Sequence, residues 1–262
     1  MYKLLALDID GTLLNSQGQV DPSTIEVIEK IKDHVLVTIS TGRPIQGVYR
    51  YIDLLGLKSP IITYNGAMII DSRTDEVLYS QKMNGDDAKQ VLELGSQYDT
   101  TMIIWSNNKL YSNRINDYVN NYKKLSGLEP IVLNEFDDLI KQGVTKILWV
   151  NDPDTLESYQ EKIKDLVHKS ITYCTSKSHL LEFFDSRVSK AKALEFLGRN
   201  FEIKREEMMA IGDGNNDIDM IDYVGMGVAM ANATDKVKSV ANYITSSNDE
   251  DGILNAVNKF IK

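Results

Sequence analysis

The chain has 262 residues, a formal net charge of −9, 42% hydrophobic and 26% charged residues, the proportions of an ordinary globular protein long enough for one large or two modest domains. The acidic surplus speaks against a nucleic-acid partner, which needs concentrated Lys and Arg, and no apolar run approaches the roughly 20 residues of a membrane span. Cys174 is the only cysteine, which excludes an internal disulfide and a Cys-based zinc site; with no signal-like pattern after Met1-Tyr2-Lys3, a cytoplasmic location is expected.

Residues 3–8 read as a buried strand, in which Leu4-Leu5-Ala6-Leu7 runs into Asp8-Ile9-Asp10-Gly11-Thr12. Like charges at the mouth of a buried strand cost desolvation and repulsion unless a cation or a reaction uses them. Asp21-Pro22 supplies an N-cap and a proline at the first helical position, and predicts a helix with Ile25, Ile28 and Ile31 on one face. Val35 to Ser40 is the next strand, closed by Thr41-Gly42-Arg43-Pro44, and Ile45 to Leu55 reads as helical. Pro60 to Tyr64 is a third strand, with Asn65-Gly66 as a turn before Ala67 to Asp71. This alternation predicts right-handed crossovers and a parallel sheet.

The texture changes over roughly residues 83–184. Thr100 to Trp105 and Lys109 to Ser112 suggest a hairpin, Lys146 to Asn151 and Ile171 to Thr175 further strands, and Thr155 to His168 a helix. An inserted α+β domain at 83–184 is expected, with 1–82 and 185–262 forming the core. Trp105, Trp149, Phe183 and Phe184 are expected to pack, and Glu182 to be a solvated linker residue, with a substrate contact as the alternative. His34, His168 and His179 fall in different elements and predict no shared metal site. The alternating grammar then returns: Val188-Ser189-Lys190 opens a helix, Met208 to Gly212 is a strand ending at Asp213, and Asp217 to Tyr223 is helical. Val224 to Met230, Asn242 to Thr245 and a helix from about Asp251 complete the set.

Ligand sites in open α/β sheets lie beyond the C-terminal strand ends. Those ends offer Asp8 and Asp10, then Thr41-Gly42-Arg43, and finally Gly212-Asp213-Gly214-Asn215-Asn216-Asp217, with Lys190 ahead of the last. Taken in order, these residues resemble the haloacid dehalogenase superfamily of phosphatases, in its Cof-type branch (subfamily IIB), over essentially the whole chain. The resemblance implies a Rossmann-like, doubly wound α/β core with an inserted C2 cap. It also implies a Mg²⁺-dependent phosphatase acting on small phosphorylated metabolites, sugar phosphates or similar, with no nucleic-acid or membrane partner. Asp8 would attack phosphorus to form an aspartyl-phosphate, and Asp10 would protonate the leaving oxygen and then activate water.

The same resemblance implies that Thr41, Gly42 and Asn216 bind phosphate and that Lys190 neutralises it. Mg²⁺ would be held by Asp8, the main-chain carbonyl of Asp10, Asp213 and Asp217, with Asp217 and Asn216 orienting its waters or Lys190. The pattern departs from the family at Arg187 and Ala191, where glycines are usual, and Lys192 competes with Lys190 for its role. Arg43 stays outside the catalytic set because it could equally be a surface salt-bridge partner. Two other activities fit the acidic strand ends: a phosphotransferase or sugar phosphomutase sharing the intermediate, and a non-catalytic Mg²⁺-binding module. Nothing in the sequence speaks to oligomeric state.

Overall fold

A computed structural model describes residues 1–261, with the side chains of Leu125, Ser176 and Lys177 excepted. The strands in chain order are β1 (Leu4–Leu7), β2 (Leu36–Ile39), β3 (Pro60–Thr63), β4 (Met68–Asp71), β5 (Val77–Ser80), β6 (Thr101–Ser106), β7 (Lys109–Ser112), β8 (Ile131–Val132), β9 (Lys146–Val150), β10 (Ile171–Lys177), β11 (Leu180–Asp185), β12 (Met208–Gly212), β13 (Met226–Ala229) and β14 (Tyr243–Ile244). The helices are α1 (Pro22–Ile31), α2 (Tyr49–Leu55), α3 (Gly85–Gln97), α4 (Asp117–Ser126), α5 (Asp137–Gln142), α6 (Pro153–Ile163), α7 (Lys190–Asn200), α8 (Ile218–Tyr223), α9 (Asp235–Val240) and α10 (Gly252–Phe260). No described helix is long and apolar enough to cross a membrane. The chain divides into two units, one formed by Met1–Ser80 with the segment from Ser189 onward, the other by Gln81–Val188.

In the first unit a parallel sheet runs β14-β13-β12-β1-β2. The interior strand β1 pairs with β12 on one side, Leu7 opposite Ile211, and with β2 on the other, Leu7 opposite Ile39. All four β1 side chains are buried, as expected of a strand covered on both faces. Leu4 and Ala6 pack with Leu194 and Leu197 of α7 and Met220 of α8, while Leu5 and Leu7 alternate to the opposite face. Parallel neighbours all point the same way, so the ends of β1, β2 and β12 open on one rim.

Three expectations need correction in this unit. Pro60 to Tyr64 does lie parallel to β2, but only through the bridge between Ser40 and Ile62. Its full ladder is antiparallel, with β4 and then β5, a strand the sequence reading did not include. The helix expected from Ile45 to Leu55 is split: a 3₁₀ turn at Ile45–Gly47 precedes α2, and Val48 between them sits at φ −115°. In α1 the buried face is Thr24, Val27, Ile28 and Ile31, so Ile25 is displaced toward the edge of the stripe.

The Gln81–Val188 unit holds a six-stranded sheet, β10-β11-β9-β6-β7-β8, antiparallel except for the β7–β8 pair. One face carries Met102, Ile104, Ile147, Trp149, Leu181 and Phe183, packed with Val91 and Leu92 of α3 and Leu156 of α6. Glu182 is not a solvated linker residue. It lies within β11, points to the opposite face, is buried, and accepts a 2.8 Å bond from Lys146 Nζ, itself buried. Burial of one charge is tolerated because the other is there to meet it.

Candidate active site

Asp8 extends β1 by one residue, since its N–H donates to the Ile211 carbonyl at 3.1 Å and its carbonyl accepts from Leu13 N at 3.2 Å. Ile9 is fully buried; Asp8 lies inward, 5% exposed, while Asp10, where the chain has left the strand and begins to turn, is exposed. Gly11 turns the chain at φ +84°, and a Cβ there would stand 2.3 Å from Asp213 Oδ2. The close approach of the β1 and β12 loops therefore requires glycine. Thr12 Oγ1 then donates to Asp213 Oδ1 at 2.8 Å, and Asn232 Nδ2 donates to the Gly11 carbonyl at 2.8 Å.

Lys190 is the first residue of α7. Ser189 caps that helix by accepting from Lys192 N, which keeps Lys190 in the first turn and leaves Lys192 exposed. Gly66, at φ +98°, lets the Ser189 backbone come so close that a Cβ would meet Ser189 O at 2.2 Å. So held, Lys190 Nζ donates to Asp8 Oδ1 at 2.7 Å, Asp217 Oδ1 at 2.5 Å and the Ser40 carbonyl at 2.8 Å. Asp217 Oδ2 in turn accepts from the N–H groups of Asp213 and Gly214 at 3.0 and 2.9 Å. One fully buried ammonium thus sits between two carboxylates.

One carboxylate oxygen each from Asp8, Asp213 and Asp217 lie within 4.8 Å of one another. Three carboxyl groups against one ammonium leave an excess of negative charge in a poorly solvated place. Burial first, and Asp217 second, push the Asp8 carboxyl up to about 8 against the pull of Lys190. Burial, opposed by the Thr12 hydrogen bond and reinforced by Asp217, raises Asp213 to about 6. Burial alone would lower Lys190, but Asp217 and then Asp8 outweigh it and hold the ammonium well above its ordinary value. A cluster of oxygen donors with unmet negative charge suits a hard divalent cation.

The remaining residues singled out from sequence lie around this cluster. The Asp10 carboxylate is outside it, held by Arg43: Nε donates to Oδ2 at 2.8 Å and Nη2 to Oδ1 at 2.5 Å. Thr41 is buried, with its N–H on the Ile62 carbonyl at 3.0 Å and its Oγ1 accepting from Arg43 N at 3.2 Å. Gly42 lies against Asn65, whose Oδ1 would be 2.9 Å from a Cβ at that position. Asn216 Nδ2 donates to the same Asn65 Oδ1 at 3.1 Å. Thr12, Asn65, Asn232 and the Arg43–Asp10 pairing escaped the sequence reading. The signals available were Asn65-Gly66, which reads as a turn, Thr12 at the end of the Asp8-Ile9-Asp10-Gly11-Thr12 run, and Arg43, which reads as a salt-bridge candidate with no partner named.

A family model described as haloacid dehalogenase-like hydrolase matches residues 5–257. The chain belongs to this family. YxeH of Bacillus subtilis (strain 168), which carries a phosphatase name, is 33% identical over 267 residues, covering 100% of this chain and 99% of its own. The HMP-PP phosphatase of Serratia proteamaculans (strain 568) is 30% identical over 242 residues, 92% of this chain and 88% of its own. Among solved structures, the haloacid dehalogenase subclass IIB sugar phosphatase BT4131 superposes with a TM-score of 0.83 at 26% identity over 98% of both chains. As a haloacid dehalogenase-type phosphatase, this protein is a hydrolase of phosphate monoesters.

Proposed function

We propose that this haloacid dehalogenase-type phosphatase depends on Mg²⁺, acts on small phosphorylated metabolites, and works through an aspartyl-phosphate on Asp8. The observation that carries the reading is the buried Asp8 carboxylate at the end of β1, bonded to Lys190 and grouped with Asp213 and Asp217. An Asp8 oxygen forms a bond to phosphorus as the ester P–O bond breaks. The electron pair of that bond leaves with the ester oxygen, which takes a proton from Asp10. Water then attacks the same phosphorus, Asp10 takes its proton, and Asp8 departs as a carboxylate to leave inorganic phosphate.

Asp8, Asp213 and the main-chain carbonyl of Asp10, with Asp217, would hold Mg²⁺, which supplies charge neutralisation for an anionic substrate. Lys190 keeps a fixed positive charge against Asp8, placed by Asp217 and the Ser40 carbonyl. Thr41, Gly42 and Asn216 serve the phosphoryl oxygens. The Gln81–Val188 unit, which interrupts the core after β5, takes the role of a cap that selects the leaving group. Sugar phosphates are the first substrate class to try, a choice supported by the sugar phosphatase among the similar structures. A cytoplasmic location accords with the single, unpaired Cys174.

The test is phosphate release from a panel of phosphorylated sugars, nucleotides and cofactors, with Mg²⁺ and with chelator, using Asp8→Asn as the blank. Metal-dependent release that disappears in the blank is expected. Release that persists in Asp8→Asn contradicts the nucleophile assignment. Isomerised phosphate ester with little inorganic phosphate would contradict hydrolysis of that compound in favour of transfer.

A further inference from the structure

The Arg43–Asp10 pair is built differently from an ordinary surface ion pair. Exposed pairs commonly join two long, mobile side chains and contribute little. Here the guanidinium is anchored on its far side. Its Nη1 donates to the Tyr51 hydroxyl at 3.3 Å and to the Gly47 carbonyl at 3.5 Å, and Cζ lies 5.6 Å from the centroid of the Tyr51 ring. Tyr51 is itself buried. The Arg43 backbone is tied to the strand end as well, through its N–H on Thr41 Oγ1 at 3.2 Å and its carbonyl, which accepts from Tyr64 N at 3.2 Å. The arginine side chain is 26% exposed while the Asp10 side chain is 64% exposed. The better-held partner is therefore the cation, and the open one is the acid.

We propose that Arg43 is a positioning residue for Asp10, one that sets the plane of its carboxyl group and turns the acidic proton outward. The proposal rests on the reading of Asp10 as the acid in the step above. A guanidinium offers donors only. When Asp10 carries a proton, the O–H cannot face Arg43, because two donors would then oppose each other. One carboxyl oxygen keeps its bond to the fork, and the other points its O–H away from it, into the open side of Asp10. As the ester P–O bond breaks, that proton passes to the departing oxygen, and the resulting carboxylate regains both bonds to Arg43. Without the fork, the carboxyl group rotates freely and rarely presents its proton along the required line.

The experiment compares kcat/KM for two aryl phosphates of similar shape, p-nitrophenyl phosphate and phenyl phosphate, in the wild type and in Asp10→Asn, Arg43→Ala and Arg43→Lys. The first has a leaving oxygen stable enough to depart without a proton; the second does not. General acid assistance contributes about 10²–10⁴-fold. Asp10→Asn should therefore lose on that order with phenyl phosphate and much less with p-nitrophenyl phosphate. Arg43→Ala should show the same asymmetry, with a loss of about tenfold or more confined to phenyl phosphate. Arg43→Lys, which keeps a charge but not the two-toothed fork, should fall between. If Arg43→Ala fails to fold, the lysine variant carries the test alone.

An equal loss on both substrates would mark Arg43 as merely structural and overturn the proposal. So would no loss, or a gain, with phenyl phosphate. If Asp10→Asn shows the asymmetry and neither Arg43 variant does, the positioning role fails while the acid assignment stands. Should Asp10→Asn show no asymmetry, the assignment of Asp10 fails and takes the proposal with it.

Discussion

Replacing Lys190 by methionine keeps most of the side-chain volume and removes the one ammonium from the buried cluster. Lys190 is fully buried and bonds Asp8, Asp217 and the Ser40 carbonyl at 2.7, 2.5 and 2.8 Å. Removing one partner of a buried ion pair costs about 3–5 kcal/mol, because the other charge is left uncompensated. At about 2–4 °C per kcal/mol for a domain of this size, Lys190→Met should lower the melting temperature by about 6–20 °C in chelator. The readout should be far-UV circular dichroism, because Trp105 and Trp149 both lie in the Gln81–Val188 unit. Adding Asp217→Asn removes one of the stranded charges. The double variant should therefore be more stable than the sum of the single losses predicts, with a coupling of about 1–3 kcal/mol. A Lys190→Met protein within about 1 kcal/mol of the wild type, or strictly additive losses, would refute the argument that this charge balance holds the core together.

The protonation of the cluster gives a second expectation. Asp8 at about 8 and Asp213 at about 6 stand above ordinary carboxyl values, so between about pH 4 and pH 8 these two groups hold more protons in the folded chain than in the unfolded one. Stability in chelator should fall as pH rises through that window, and Mg²⁺, which displaces those protons, should raise the melting temperature more at pH 8 than at pH 6; a metal effect independent of pH would contradict this. Lys146→Met should cost about 3–5 kcal/mol in the other unit by stranding Glu182, and this loss should register in tryptophan fluorescence; an unmoved transition would contradict it. Gly11→Ala should cost more than about 1 kcal/mol and weaken the Mg²⁺-dependent thermal shift, since its Cβ meets Asp213; an undiminished shift would show that the loop relaxes without disturbing the carboxylates.

The parts of this molecule legible in its sequence are those set by local pattern. An apolar run ending in Asp8 places an acid at a strand end whatever its neighbours are, and Ser189 as an N-cap fixes the first turn that carries Lys190. Gly212-Asp213 after Met208 to Ile211 gives the same message. What stayed hidden depends on register between distant strands. Glu182 meets Lys146 because β11 lies beside β9, and neither residue carries a local sign of the other. Asp10 meets Arg43 because β1 and β2 are neighbours whose loops leave the sheet on one rim. Tyr64 and Asn65, at φ +52° and +57°, build the corner against which Thr41, Gly42 and Asn216 rest. From sequence that corner is only a turn, since its function lies in what it touches.

The covalent role of Asp8 is the central claim, and the Asp10→Asn variant isolates it. With the residue that activates water removed, the phosphoenzyme should accumulate on p-nitrophenyl phosphate as a burst of p-nitrophenolate equal to the enzyme concentration. Acid quenching, borohydride reduction and peptide mass analysis should then find Asp8, and no other carboxylate, converted to homoserine. A burst with Asp8 unmodified, or homoserine at another aspartate, would contradict the account.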